Sequence, residues 1–190
     1  MIHGAQGDQS IFNDLAPALA SQYRVLTFDQ RGSGLSEKPD AEYSIAMLAD
    51  VTAALMDLLG YCPAHVLGVS MGGHACARAC TAPSSKGSIT LPGCTTPGGS
   101  QAIRTGGSAF ANAYSTQPMS AEDRGRALAE AAFTEGYIER HPQIIASMIE
   151  ARRERPVDLV ALGHRLKGAL KHDTFERLAQ MSDPGGNRQR

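Results

Sequence analysis

Ser70 is the residue of this chain whose setting most clearly suits covalent chemistry. It stands in Gly68-Val69-Ser70-Met71-Gly72, a G-x-S-x-G segment between the apolar stretch Ala64-His-Val-Leu-Gly-Val69 and the helix-forming stretch Ala75-Cys-Ala-Arg-Ala-Cys80. A turn from strand to helix this tight leaves no room for side chains at its flanks, hence Gly68 and Gly72. The strained serine then projects its hydroxyl into open space at the edge of a sheet. Amides at the start of the following helix stabilise negative charge. A second loop, His3-Gly4-Ala5-Gln6-Gly7, lies upstream. Backbone N–H groups of Ala5 and Met71 would together form an oxyanion hole, each donor lowering an acyl-transfer barrier by about 3–4 kcal/mol. His3 precedes the serine, the wrong side for a general base in this arrangement, so His3 and Gly4 are read as residues that order the loop.

Two other motifs compete. Asp29-Gln30-Arg31-Gly32-Ser33-Gly34-Leu35-Ser36 could be a phosphate-binding glycine loop, but it lacks the third glycine and does not open directly into a helix. Asp29 and Arg31 are instead expected to tie the loop together. Cys62, Cys76, Cys80 and Cys94 show no Cys-x-x-Cys spacing, and with His74 they make a poor zinc set. They are read as reduced thiols, small and buried. No metal and no cofactor is expected.

The elements that position these groups alternate between helix and strand. Ser10 is expected to cap a short helix through Ala20, followed by a strand at Tyr23-Arg-Val-Leu-Thr-Phe28. Ser44 caps a helix with an apolar stripe of Ile45, Leu48, Val51, Leu55 and Leu58, and Gly60 takes the C′ position. A strand at 64–69 and a weaker one at Ser88–Leu91 follow. Strands separated by helices argue for an α/β fold with a parallel, doubly wound sheet. Beyond the Gly/Pro/Ser/Thr-rich stretch 94–107 only helical patterns occur: Ser120 to about Thr134 with Asp123 closing a capping box, Gln143–Arg153 and Val157–Leu170.

Composition bounds the rest. The chain has 190 residues, 42% of them hydrophobic, and a net charge of −1, which suits one globular domain and gives no sign of nucleic-acid or membrane binding. Residues 151–190 hold 9 Lys and Arg against 5 Asp and Glu, a local basic excess read as a solvated helical face. The charge-free stretch Leu58–Ala77 contains Pro63, two histidines and several glycines, which rules it out as a membrane-spanning helix. The opening residues resemble no secretion signal, so a cytoplasmic protein is expected.

The His3-Gly4 loop, the Phe28-Asp-x-Arg-Gly-x-Gly-x-Ser36 segment and the Gly68–Gly73 elbow together resemble the α/β-hydrolase superfamily, and within it the group of 3-oxoadipate enol-lactonase-like hydrolases. Cys94-Thr-Thr-Pro-Gly-Gly99 and the helical stretch ending in His172-Asp-Thr-Phe-Glu-Arg-Leu178 are similar to what several of those proteins carry. The resemblance implies a cofactor-free hydrolase of a small-molecule ester, lactone or related carbonyl compound. It also implies an incomplete α/β-hydrolase core over 1–94, an all-helical cap over 95–178, and an irregular tail over 179–190 where the next core strand belongs.

Departures from the family pattern bear on activity. The chain begins two residues before the His-Gly loop, and Met181–Arg190 stands where the family's acid-bearing strand and later histidine are expected. This reads as truncation at both ends, with no residue matching the family's acid or base. His141, His164, His172, Asp123, Asp158 and Asp173 fall on cap-like helices, and His74 points along the helix after Ser70. A serine without its histidine is a poor nucleophile, so these 190 residues are expected to hydrolyse little or nothing. A non-catalytic binding module and a non-functional fragment are the alternatives; the sequence does not define an oligomeric state.

Overall fold

A computed structural model of the chain describes residues 1–61, 64–80 and 108–173. Three short stretches meet where a parallel sheet is expected. The amino group of Met1 donates to Leu26 O (2.6 Å), Ile2 N to Leu67 O (2.8 Å) and Val69 N to Ile2 O (2.9 Å), so Ile2 and Gly68 form a parallel bridge. Val69 and Asp173 also occupy bridge positions. The expected strand at Tyr23–Phe28 forms no ladder among the described residues; its contact with the opening stretch is the bond from Met1 N to Leu26 O. The expected strand at Ser88–Leu91, the junction at 94–95 and the tail at 179–190 lie outside the described residues.

The first helical segment departs from expectation. Asp8, not Ser10, is the cap: its carboxylate accepts from Ser10 N (2.9 Å) and opens a 3₁₀ turn at Gln9–Phe12, after which α1 spans Leu15–Ala20. A carboxylate two residues upstream takes the amide that Ser10 would have carried into its own helix. Helix α2, Ile45–Leu58, begins as read, with Ser44 Oγ accepting from Met47 N at 3.0 Å. It ends with Gly60 at φ +67°, Tyr61 N on Met56 O (2.8 Å) and Gly60 N on Asp57 O (3.2 Å), the paired bonds of a Schellman cap.

The stripe of α2 differs. Its buried side is Ile45, Leu48, Ala49 and Thr52, while Val51 and Leu58 are 39% and 81% exposed. At 100° per residue Val51 and Leu58 sit about 120–140° round the helix from Ile45. Thr52 takes an inward position because its hydroxyl donates to Leu48 O (2.8 Å) within the helix.

Helix α3, Met71–Cys80, starts directly after Ser70, four residues before the helical run expected from sequence. It packs on α2. The remaining helices are α4 (Ser108–Ala113), α5 (Ala121–Ala132), α6 (Glu135–Arg140), α7 (Gln143–Glu154) and α8 (Leu159–Lys171). Ser120 caps α5 through Asp123 N (3.0 Å), and Asp158 caps α8 through Ala161 N (2.9 Å), so α8 begins two residues later than the apolar pattern suggests. Helix α5 packs against α4 and α7. A core of Ile2, Ala5, Ile45, Leu48, Val66, Met71, Ala75, Cys76 and Leu162 joins the opening loop, α2, α3 and α8. Gly168 fixes the docking of α8, since a Cβ there would overlap the Tyr43 carbonyl.

Candidate active site

Ser70 has φ +54°, the only positive φ at a non-glycine among the described residues. An L-residue held in that region costs on the order of 1–3 kcal/mol, and the surroundings explain how it is kept there. Gly72 N donates to Val69 O (2.8 Å) and Gly73 N to Ser70 O (2.7 Å), bending the backbone sharply between the Val66–Val69 stretch and α3. A Cβ on Gly68 would collide with the backbone of Gly72, and a Cβ on Gly72 with the carbonyls of Ile2 and His3. Both glycines are therefore required by close backbone approach.

Gly4 lies against the serine: a Cβ on it would stand 3.1 Å from Ser70 Cβ and 3.7 Å from Ser70 Oγ. Gly7 N donates to Gly4 O (3.1 Å), closing a turn in which Ala5 is 2% exposed. Met71 opens α3, so its N–H is among the first four of the helix, which have no acceptor within it. The Ile2–Gly68 bridge thus brings together the loop bearing Ala5 and the turn bearing Ser70 and Met71.

His3 is fully buried. Gln30 N donates to His3 Nε2 (3.0 Å), which places the ring proton on Nδ1, facing Gly4 O at 2.8 Å. Gln30 Nε2 also donates to His3 O (2.6 Å). Burial pushes the His3 pKa below its ordinary value, and the hydrogen bond to Gly4 O opposes that only in part. The ring is a neutral tie between the opening loop and the Asp29–Ser36 loop. Asp29 ties the same loop, accepting from Gln9 N (2.7 Å) and Leu35 N (2.8 Å); Arg31 is exposed.

The other candidate groups have settled positions. His74 is buried, its pKa lowered by burial, and its ring meets His172 edge-on with centroids 5.1 Å apart. His164 Nε2 lies 2.7 Å from Asp40 Oδ1, and His141 is against Tyr137. Asp123 and Asp158 are occupied at helix starts. Cys76 is buried, outside any disulfide, with its Sγ donating to Val66 O (3.4 Å); Cys62 and Cys94 lie outside the described residues. Among the described residues no three His, Cys, Asp or Glu side chains gather as a metal site, and no helix is long and apolar enough to cross a membrane.

Sequence reasoning did not single out the buried arginines Arg124, Arg152 and Arg165. Their signal was present: Arg152 follows Ile149 by three residues and Arg165 follows Leu162 by three, each continuing the buried side of its helix.

Residues 1–91 match the family model described as the alpha/beta hydrolase fold. A Mycobacterium tuberculosis protein provisionally named non-heme bromoperoxidase BpoC is 50% identical over 54 residues, 28% of this chain and 20% of its own length. The crystal structure of a hydrolase from Pseudomonas aeruginosa PA01 superposes with a TM-score of 0.75 at 18% identity, covering 95% of this chain and 66% of that one. The enol-lactonase from Burkholderia xenovorans LB400 gives 0.71 at 22%, covering 95% and 67%. The match thus spans about a fifth of the curated relative and about two thirds of the solved chains. Together with the elbow, the opening loop and the parallel bridge, these likenesses show that the chain carries the alpha/beta hydrolase fold, with residues 1–91 matching the model of that fold.

Proposed function

We propose that this chain is the nucleophile-bearing part of a cofactor-free serine hydrolase acting on a small carboxylic ester, lactone or similar carbonyl compound. Ser70 Oγ attacks the carbonyl carbon and gives its proton to water; the bond to the alcohol oxygen then breaks, and that oxygen leaves with the bonding electrons and takes a proton from water. The oxygen of the tetrahedral intermediate lies between the N–H groups of Ala5 and Met71. The core is assigned within residues 1–94 and the helical cap within 95–178. A buried cysteine outside any disulfide, such as Cys76, suits the reducing cytoplasm.

The observation that carries this reading is the left-handed Ser70 between two glycines whose places no other residue could take without a collision, facing Gly4. Strain of this kind gathers at functional positions. Exposure to p-nitrophenyl acetate tests it. The expected result is one acetyl group per chain, located on Ser70 by peptide mass mapping and lost in Ser70→Ala. Acetylation that survives Ser70→Ala would overturn the reading.

A further inference from the structure

A cleft of ≈ 560 Å³ lies between residues 6–9, the loop 29–38, and the α7–α8 connection at 154–158. Ser70 and Met71 are not among its lining residues, whereas Arg152, Arg155, Arg165 and Lys38 are. Cavities of this size are ordinary for small-molecule sites.

Its two innermost cations are unusual. Arg152 is 6% exposed and Arg165 2%. Arg152 Nη1 donates to Gln6 O (2.7 Å) and Arg165 Nη1 to Ser33 Oγ; neither acceptor is charged. Nε of each is buried without a hydrogen-bond partner. Arg124 shows what a satisfied buried arginine in this molecule looks like: it donates to Ser115 O and Gln117 O, both at 3.0 Å, and has no orphaned nitrogen. Burial presses the Arg165 pKa down to about 10, the mark of a desolvated cation whose compensation is incomplete. A guanidinium does not shed its proton in a protein, so its compensation must come from an anion.

The acids around the cleft act on these arginines without a hydrogen bond to them, Asp8 on Arg152 and Asp158 on Arg165, and their carboxylates are bonded elsewhere. Asp8 pairs with the rim residue Arg155 (2.9 Å), Asp29 accepts two backbone amides, and Asp158 caps α8. With Glu154, four carboxylates line the cleft beside four cations, so the lining as a whole is neutral. That favours a singly charged ligand over a dianion. Leu35, fully exposed, together with Pro156 and Val157 supplies apolar surface in the same cleft.

The geometry points to a binding site for a small monocarboxylate with an apolar body, its carboxylate held by Arg152 and Arg165 and its body against Leu35, Pro156 and Val157. This site is separate from Ser70 and does not depend on Ser70 acting.

Thermal unfolding of the full 190-residue chain with sodium benzoate, benzamide and inorganic phosphate tests it. Benzoate is expected to raise Tm saturably, with no response to the isosteric neutral benzamide. Arg165→Met is expected to fold, because an apolar replacement of a buried charge is often neutral or stabilising, and to lose the benzoate response. Arg165→Lys keeps the charge but not the fork and should weaken binding about tenfold, which keeps the test informative if Arg165→Met does not melt cooperatively. An equal response to benzamide, a larger one to phosphate, or a benzoate response undiminished in both variants would overturn the assignment.

Discussion

The elbow region and the helical region of this molecule are held together by different means. Around Ser70 the chain is stripped of side chains so that backbone can meet backbone: Gly68 against Gly72, Gly72 against Ile2 and His3, Gly4 against Ser70. In α4–α8 the side chains do the joining. Ser120 and Asp158 start the helices, and Arg124, Arg152 and Arg165 reach carbonyls or hydroxyls on other segments. The first arrangement fixes one hydroxyl rigidly, and the second leaves room for a cleft. Where a substitution meets backbone there is no rotamer to yield; where it meets side chains, neighbours can adjust.

That contrast predicts a ranking of effects. Gly72→Ala should be the most damaging, on the order of 3 kcal/mol or more by urea denaturation, because the Ile2 carbonyl cannot move without breaking the bridge to residues 67–69. A loss under about 1 kcal/mol would break the comparison. Gly168→Ala, at the joint between α8 and Tyr43, should cost about 2–3 kcal/mol, since α8 can shift slightly as a unit. Ser120→Ala should cost about 1 kcal/mol through the lost α5 cap. Ser70→Gly should go the other way and raise stability by about 1 kcal/mol while abolishing acylation, because glycine adopts positive φ without strain.

The smallest effect is a pH dependence. His3 and His74 both have pKa values held below the ordinary 6.5 by burial. As pH falls below about 6.5 the unfolded chain takes up protons that the folded chain refuses, so stability declines from there toward the lower folded values. Melting curves across that range check the sign, and His74→Phe should flatten the decline if the ring at this site is its source.

The elbow and its loop were legible because their chemistry is local in sequence: a serine two residues from each glycine, after an apolar run. Helix starts were legible for the same reason at Ser44 and Ser120, and failed at Ser10 because Asp8 lay closer to the same amide. The strand at Tyr23–Phe28 failed because pairing is not a property of the strand alone. The cleft was not legible at all. Gln6, Ser33, Arg152 and Arg165 are separated by up to about 160 residues, and nothing in their spacing announces that they meet.

The proposal that this backbone-held Ser70 is the nucleophile is tested by labelling with a fluorophosphonate probe and peptide mapping. Labelling confined to Ser70 and absent in Ser70→Ala is expected. Labelling that persists in Ser70→Ala would contradict it.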